Sequence, residues 1–179
     1  RKVITVFPAS TPGVVIVQHM PPGFTQMFSE RMDSLSRMQV KEAETGDRII
    51  PGRVLIAPGA KHMSVVRRGG FYHVECKEGE LVNGHCPSVE VLMKSVAKYV
   101  GANAVGVMLT GMGADGADGL KDMREAGART LAQDEASSVV FGMPKVAYER
   151  GGAEKLVPLD DMAEEVLNML EAMQKGGRS

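Results

Sequence analysis

Val105-Gly106-Val107-Met108-Leu109-Thr110-Gly111-Met112-Gly113-Ala114-Asp115-Gly116-Ala117-Asp118-Gly119-Leu120 is the stretch that decides the fold. It begins as an apolar, β-branched run, passes through a glycine-studded turn and enters a helix. A short apolar run bounded by glycines describes a strand buried on both faces of a parallel sheet. The turn beyond such a strand opens at the carboxyl edge of the sheet, where folds of this kind carry their chemistry.

That turn has competing readings. Gly111-Met112-Gly113-Ala114-Asp115-Gly116 satisfies G-x-G-x-x-G, and Asp134 lies 18 residues beyond Gly116, about where a ribose-binding acid would stand. On this reading the chain is a dinucleotide-binding oxidoreductase. Asp115, however, would meet a pyrophosphate with like charge at the helix mouth. In the second reading Asp115 is itself functional, because a carboxylate at a helix N-terminus stays ionised and can orient a histidine. In the third it only caps the helix.

Working outward, Gly13 to Gln18 reads as another buried strand, and it stops at His19. A histidine just past a strand end stands where open α/β sheets expose site residues. Thr25 to Arg37 is expected to be a helix with Phe24, Phe28, Met32 and Leu35 on its inner face. Arg53 to Ala57 is a strand, and His62 to Arg67 with Gly70 to Glu75 alternate as an antiparallel hairpin. Asn83 to Pro87 reads as loop, and Ser88 to Val100 as a helix burying Val89, Leu92, Met93 and Val96. Next come a helix from about Asp115 to Glu125, a strand at Arg129 to Gln133, a helix through Tyr148 and a strand at Lys155 to Val157. A last helix is expected from Asp160, as its N-cap, to Met173.

Strands alternating with helices give an α/β, doubly wound, Rossmann-like fold. Its sheet is mostly parallel with helices on both faces and one antiparallel β-hairpin excursion. The expected organisation is a single domain over 1–174 and a frayed tail over 175–179. The 13 Met are expected to serve as packing residues, including Met27, Met32, Met162, Met169 and Met173.

The 179 residues are 44% hydrophobic and 24% charged, with a formal net charge of -1 and scattered basic residues. This composition fits a folded globular chain and argues against a nucleic-acid partner. No apolar run approaches the ~20 residues that span a bilayer. The N-terminus lacks signal-peptide character, so membrane insertion is not expected and a cytoplasmic location is. Cys76 and Cys86 are too few for a disulfide framework and are expected to be reduced and inert. His73-x-x-Cys76 and His85-Cys86 suggest zinc, but neighbours in an extended segment point apart, and neither metal nor cofactor is expected.

His19 and Asp115 each lie just past an apolar strand, and the carboxyl ends of parallel strands share one edge. The two can therefore meet, Asp115 accepting Nδ1–H of His19 and leaving Nε2 free for a proton. Here the residues resemble a known family. Val15-Ile16-Val17-Gln18-His19-Met20-Pro21-Pro22-Gly23-Phe24-Thr25, Lys41-Glu42-Ala43 to Pro51-Gly52, Ile56-Ala57-Pro58-Gly59, Leu109 to Gly116 and Thr130 to Pro144 closely resemble the catalytic domain of the chemotaxis receptor methylesterase, CheB. The resemblance runs over about Val14 to Leu167.

It implies a cytoplasmic serine hydrolase that removes methyl groups from γ-glutamyl methyl esters on the cytoplasmic helices of methyl-accepting chemoreceptors and deamidates receptor glutamines. It also implies a receiver domain N-terminal in the same protein. His19 matches the family's catalytic His, Asp115 its catalytic Asp, and the backbone N–H of Met112 an oxyanion-hole donor. The family's nucleophile belongs to a Ser-Thr-Gly-Gly turn farther ahead of the His than the 18 residues that precede His19. The resemblance therefore implies that the domain over 1–174 lacks its first strand and nucleophile turn, and the nucleophilic serine is expected to be absent from this chain. Ser10 stands directly before the strand that carries His19, without paired glycines or a following helix, and is not expected to replace it.

Overall fold

The structure is a computed structural model that describes residues 1–176. After a short 3-10 turn at Ile4–Val6, the elements are β1 (Val14–Ile16), α1 (Phe24–Leu35), β2 (Gln39–Glu42), β3 (Arg53–Ile56), β4 (His62–Arg68), β5 (Phe71–Lys77) and α2 (Val89–Tyr99). Then come β6 (Val105–Met108), α3 (Ala117–Glu125), β7 (Arg129–Gln133), α4 (Met143–Glu149), β8 (Lys155–Val157) and α5 (Leu159–Gly176).

The parallel layer consists of two separately hydrogen-bonded sheets, ordered β1-β3-β2 and β6-β7-β8. The two sheets share two cores. Val54, Ile56 and Leu131 point into a cluster with Met32, Met38, Met162, Val166 and Met169, while their neighbours Leu55, Ala57 and Ala132 point into a cluster with Leu92, Met93, Leu120 and Met123. Successive strand residues alternate between faces, so apolar layers on both sides require continuous apolar strands, as in Val54-Leu55-Ile56. The fold is thus α/β, with mostly parallel sheets and helices on both faces. The antiparallel excursion is β4–β5, joined at Gly69-Gly70, whose φ values of +60° and +82° close a two-residue turn.

Two details of the expected helices change. In α1 the buried residues are Thr25, Ser29 and Met32, whereas Phe24 and Leu35 are exposed. Hydrogen bonding turns the helix: Thr25 Oγ1 donates to Glu42 Oε2 (2.6 Å) and accepts from Gly59 N (3.0 Å), and Ser29 Oγ donates to Thr25 O (2.7 Å). The same rotation leaves Met27 in solvent, unlike the buried Met32, Met162 and Met169. In α5 the first residue is Leu159, so Asp160 lies inside the first turn, where its carboxylate meets Lys2 Nζ at 3.3 Å. Lys175 and Gly176 continue that helix, and 177–179 of the expected tail lie outside the described residues.

Candidate active site

β1 ends at Ile16, and Val17 and Gln18 carry the chain past the sheet edge to His19. The Pro21-Pro22 segment just beyond His19 is held against the loop after β3 because Gly59 has no side chain. A Cβ there would lie 2.3 Å from Pro22 N and 2.5 Å from the Pro21 carbonyl carbon. On the other sheet, β6 ends at Met108 and the turn runs to Gly116, the N-cap of α3, at φ +87°. A Cβ at Gly116 would meet Val89 Cγ1 at 2.5 Å, so this glycine brings the turn onto the start of α2.

Asp115 therefore serves a helix other than its own. Its Oδ2 accepts from Val89 N (2.8 Å) and His19 Nε2 (2.7 Å). Its Oδ1 accepts from Ser88 Oγ (2.7 Å), Asn83 Nδ2 (3.2 Å) and Glu90 N (3.2 Å). Val89 and Glu90 open α2, whose N-cap is Ser88, so the carboxylate sits on the positive end of that helix. The side chain is 0% exposed, beneath a His19 ring that is 22% exposed. Burial by itself would raise the Asp115 pKa. The donors His19, Ser88, Val89 and Asn83 outweigh it and hold the carboxyl well below its ordinary range.

The pair predicted from sequence thus meets across 96 positions, through the opposite nitrogen from the one expected. The ring descends end-on from the loop, so its far nitrogen, Nε2, reaches the buried oxygen. An ionised carboxylate only accepts, which puts the proton on Nε2 and leaves the lone pair on Nδ1. Nδ1 makes no hydrogen bond to a described residue.

Met112, 78% exposed, tips the Gly111–Gly113 turn, and its N–H makes no hydrogen bond to a described residue. The turn rests on the 138–143 loop. Gly111 N donates to Val140 O (3.1 Å), and Gly111 O accepts from Gly142 N (3.2 Å) and Met143 N (2.8 Å). The fully buried Gln133 accepts from Thr110 N (2.9 Å) and donates to Ser137 O (2.7 Å). Ser10 is exposed in the loop ahead of β1, at the strand end opposite His19.

The dinucleotide reading is not supported. Asp134, its ribose acid, bonds back to Ser137 N (3.1 Å) and Oγ (2.6 Å), and Asp115 is committed to α2. Among the described residues no cluster of three or more His, Cys, Asp or Glu is placed to hold a metal. Burial pushes the Cys76 thiol up to about 11 and raises that of Cys86.

Sequence reasoning missed four residues at the site. His85 stacks on His19 with ring centroids 3.7 Å apart and 2° between planes. Asn83 and Ser88 bind Asp115 directly. His62 accepts from Ser88 N at Nδ1 (3.2 Å) and donates from Nε2 to Glu80 O (2.7 Å), bracing both ends of their loop. Asn83-Gly84 is a hairpin dipeptide, the one local signal that could have marked this loop as ordered.

The Protein-glutamate methylesterase/protein-glutamine glutaminase of Syntrophotalea carbinolica is 69% identical over 95% of this chain and 48% of its own length. A relative named Protein-glutamate methylesterase/protein-glutamine glutaminase 2, from Albidiferax ferrireducens, is 58% identical over 92% of this chain and 48% of its own. The chain spans about half the length of the curated relatives it matches. The crystal structure of the Thermotoga maritima CheB methylesterase catalytic domain matches with a TM-score of 0.91 and 36% identity, over 94% of this chain and 89% of that one. The family model described as CheB methylesterase matches residues 1–166, and the chain belongs to the CheB methylesterase family.

Proposed function

We propose that this chain is the catalytic part of a serine hydrolase that demethylates glutamate γ-methyl esters, and deamidates glutamines, on the cytoplasmic helices of bacterial chemoreceptors. The contact between His19 Nε2 and Asp115 Oδ2 at 2.7 Å carries the reading. A histidine so oriented, with one nitrogen fixed as donor and the other open, is the proton carrier of acyl transfer. Family membership and the names of the relatives supply the substrate class. Residues 1–179 contain no Ser-Thr-Gly-Gly turn, and the nucleophile is assigned to that turn of the family.

The serine hydroxyl gives its proton to His19 Nδ1 while its oxygen attacks the γ-carbonyl. Charge collects on the carbonyl oxygen, where the Met112 N–H donates. His19, doubly protonated and paired with Asp115, returns the proton to the departing methoxide oxygen or amide nitrogen, which leaves as methanol or ammonia. Water then repeats the sequence on the acyl-enzyme and releases glutamate. Esters and primary amides pass through the same tetrahedral oxyanion, so one site serves both. An N-terminal receiver domain would hold this site in check, and relatives about twice as long leave room for one. Among the described residues no helix is long and apolar enough to cross a membrane, in keeping with work at the cytoplasmic part of the receptor.

The test is release of labelled methanol from methylated receptor by the full-length protein. His19→Ala is expected to lower turnover by ~10³-fold or more. A labelled fluorophosphonate should modify one serine of the full-length protein stoichiometrically. Turnover by His19→Ala within a few fold of wild type would overturn the reading.

A further inference from the structure

The four residues Val82 to His85 fold back on themselves. Val82 N donates to His85 O (2.9 Å) and His85 N to Val82 O (3.0 Å), with φ +53° at Asn83 and +80° at Gly84. Positive φ at both central residues makes this a type I′ turn, the form that Asn-Gly favours. The residues either side of Gly84 then reach different halves of the His19–Asp115 pair. Asn83 Nδ2 donates to Asp115 Oδ1 (3.2 Å) and to Glu90 Oε2 (3.1 Å), and the His85 ring lies flat on the His19 ring.

We infer that His85 is a positioning residue for the proposed hydrolysis, fixing the plane of the His19 imidazole; the inference rests on that proposed function. The bond to Asp115 anchors His19 at Nε2 but leaves rotation about the long axis of the ring, and the terminal torsion of histidine is a broad well. Such rotation moves Nε2 little and sweeps Nδ1, the nitrogen that must meet the nucleophile, along an arc. A parallel ring 3.7 Å away blocks that rotation on one face and adds stacking contact that is lost when the planes part. The closed turn, braced by His62 at Glu80 and Ser88, supplies the rigid mount. His85 makes no side-chain hydrogen bond to a described residue, so its flat face is what it offers the site.

The test compares His85→Ala, His85→Leu and His85→Phe in the full-length protein. Ala and Leu remove the flat ring and are expected to lower kcat by ~10- to 100-fold, the scale of a misplacement of about 1 Å, with KM within about twofold. Phe keeps a plate and is expected to recover kcat to within about threefold of wild type on the same scale. Leu keeps apolar volume, so it stands in for Ala if Ala does not fold. ¹⁵N-histidine spectra give a readout independent of turnover: the His19 Nε2–H signal should be sharp in wild type and His85→Phe, and broadened in Leu and Ala. Wild-type kcat in Leu or Ala, or equal losses in Phe and Leu, would overturn the inference. Retained activity in His19→Ala would instead strike the proposed function, and the spectra would still judge the clamp.

Discussion

Asp115→Asn looks from sequence like a clean removal of charge, and the structure shows that it is not. All five groups around the carboxylate are donors, and the new amide must point its own NH₂ at one of its two oxygen positions. Placed at Oδ1, the NH₂ opposes Glu90 N and Asn83 Nδ2. Placed at Oδ2, it opposes Val89 N and His19, and His19 alone can yield by moving its proton to Nδ1. Either arrangement leaves a buried donor without its partner, the Ser88 hydroxyl in the first and the Val89 N–H in the second, at a cost of ~1–3 kcal/mol. The remaining bonds also fall from the charged range of ~1.5–3 kcal/mol toward the neutral ~0.5–1.5, so the total is about 3 kcal/mol or more. Against a typical stability of ~5–15 kcal/mol this is a large fraction. Urea unfolding at pH 7 reads the loss, and ¹⁵N-histidine spectra tell the two arrangements apart by which nitrogen of His19 carries the proton. The acid limb should change as well. The folded Asp115 carboxyl titrates below the unfolded value of ~3.9, so its stabilisation is complete above that pH and fades as pH falls from there through the folded value. The Asn variant should lack this part of the acid limb. Stability within ~1 kcal/mol of wild type, with the His19 proton still on Nε2, would refute the reasoning.

Gly59→Ala places a methyl 2.3 Å from Pro22 N, so the segment after His19 must shift, and hydrolysis by the full-length protein should fall by ~10²-fold while the fold persists by circular dichroism. Thr25→Val strips Glu42 and Gly59 N of their buried partner and should lower unfolding stability by about 2–4 kcal/mol, measured in urea. In a Cys86→Ala background, the rate of Cys76 with a thiol reagent should keep rising up to pH about 11, and a plateau near the ordinary thiol pKa of ~8.5 would contradict the burial seen at that thiol.

Strands were legible where both faces are buried. Arg129–Gln133 and Lys155–Val157 keep the bounds read from the sequence, because their apolar residues are held from both sides: Leu131 and Val157 pack into one core, Ala132 and Leu156 into the other. Helix faces were legible where apolar residues decide them, as at Val89, Leu92, Met93 and Val96 of α2. They were not legible in α1, where the Thr25 hydroxyl is buried against Glu42 and Gly59 from distant segments and the Ser29 hydroxyl is buried behind it, bonded to Thr25 O. The His19–Asp115 pair could be expected because strand ends share an edge. The nitrogen that makes the contact could not, since it depends on the angle at which the loop delivers the ring. Nor could the identity of the helix that Asp115 caps. Its position in sequence points to α3, and only the packing of Gly116 against Val89 redirects the carboxylate to α2.

That redirection explains why the site stands where it does. β1 and β6 are each an edge strand of their own sheet, ordered β1-β3-β2 and β6-β7-β8. His19 comes after β1 and Asp115 after β6, so the pair meets beyond the carboxyl ends of two edge strands, where open α/β sheets form their crevices. A crevice alone gives no ionised group, because burial opposes charge. The start of α2 supplies the compensation with two backbone N–H groups and the Ser88 hydroxyl, and the loop leading into α2 carries the Asn83–His85 turn that touches both partners. With Asp115 bound to the start of α2, one crossover segment both supplies donors to the carboxylate and carries the ring stacked on His19. Lesions in 82–88 should accordingly lower activity and stability together.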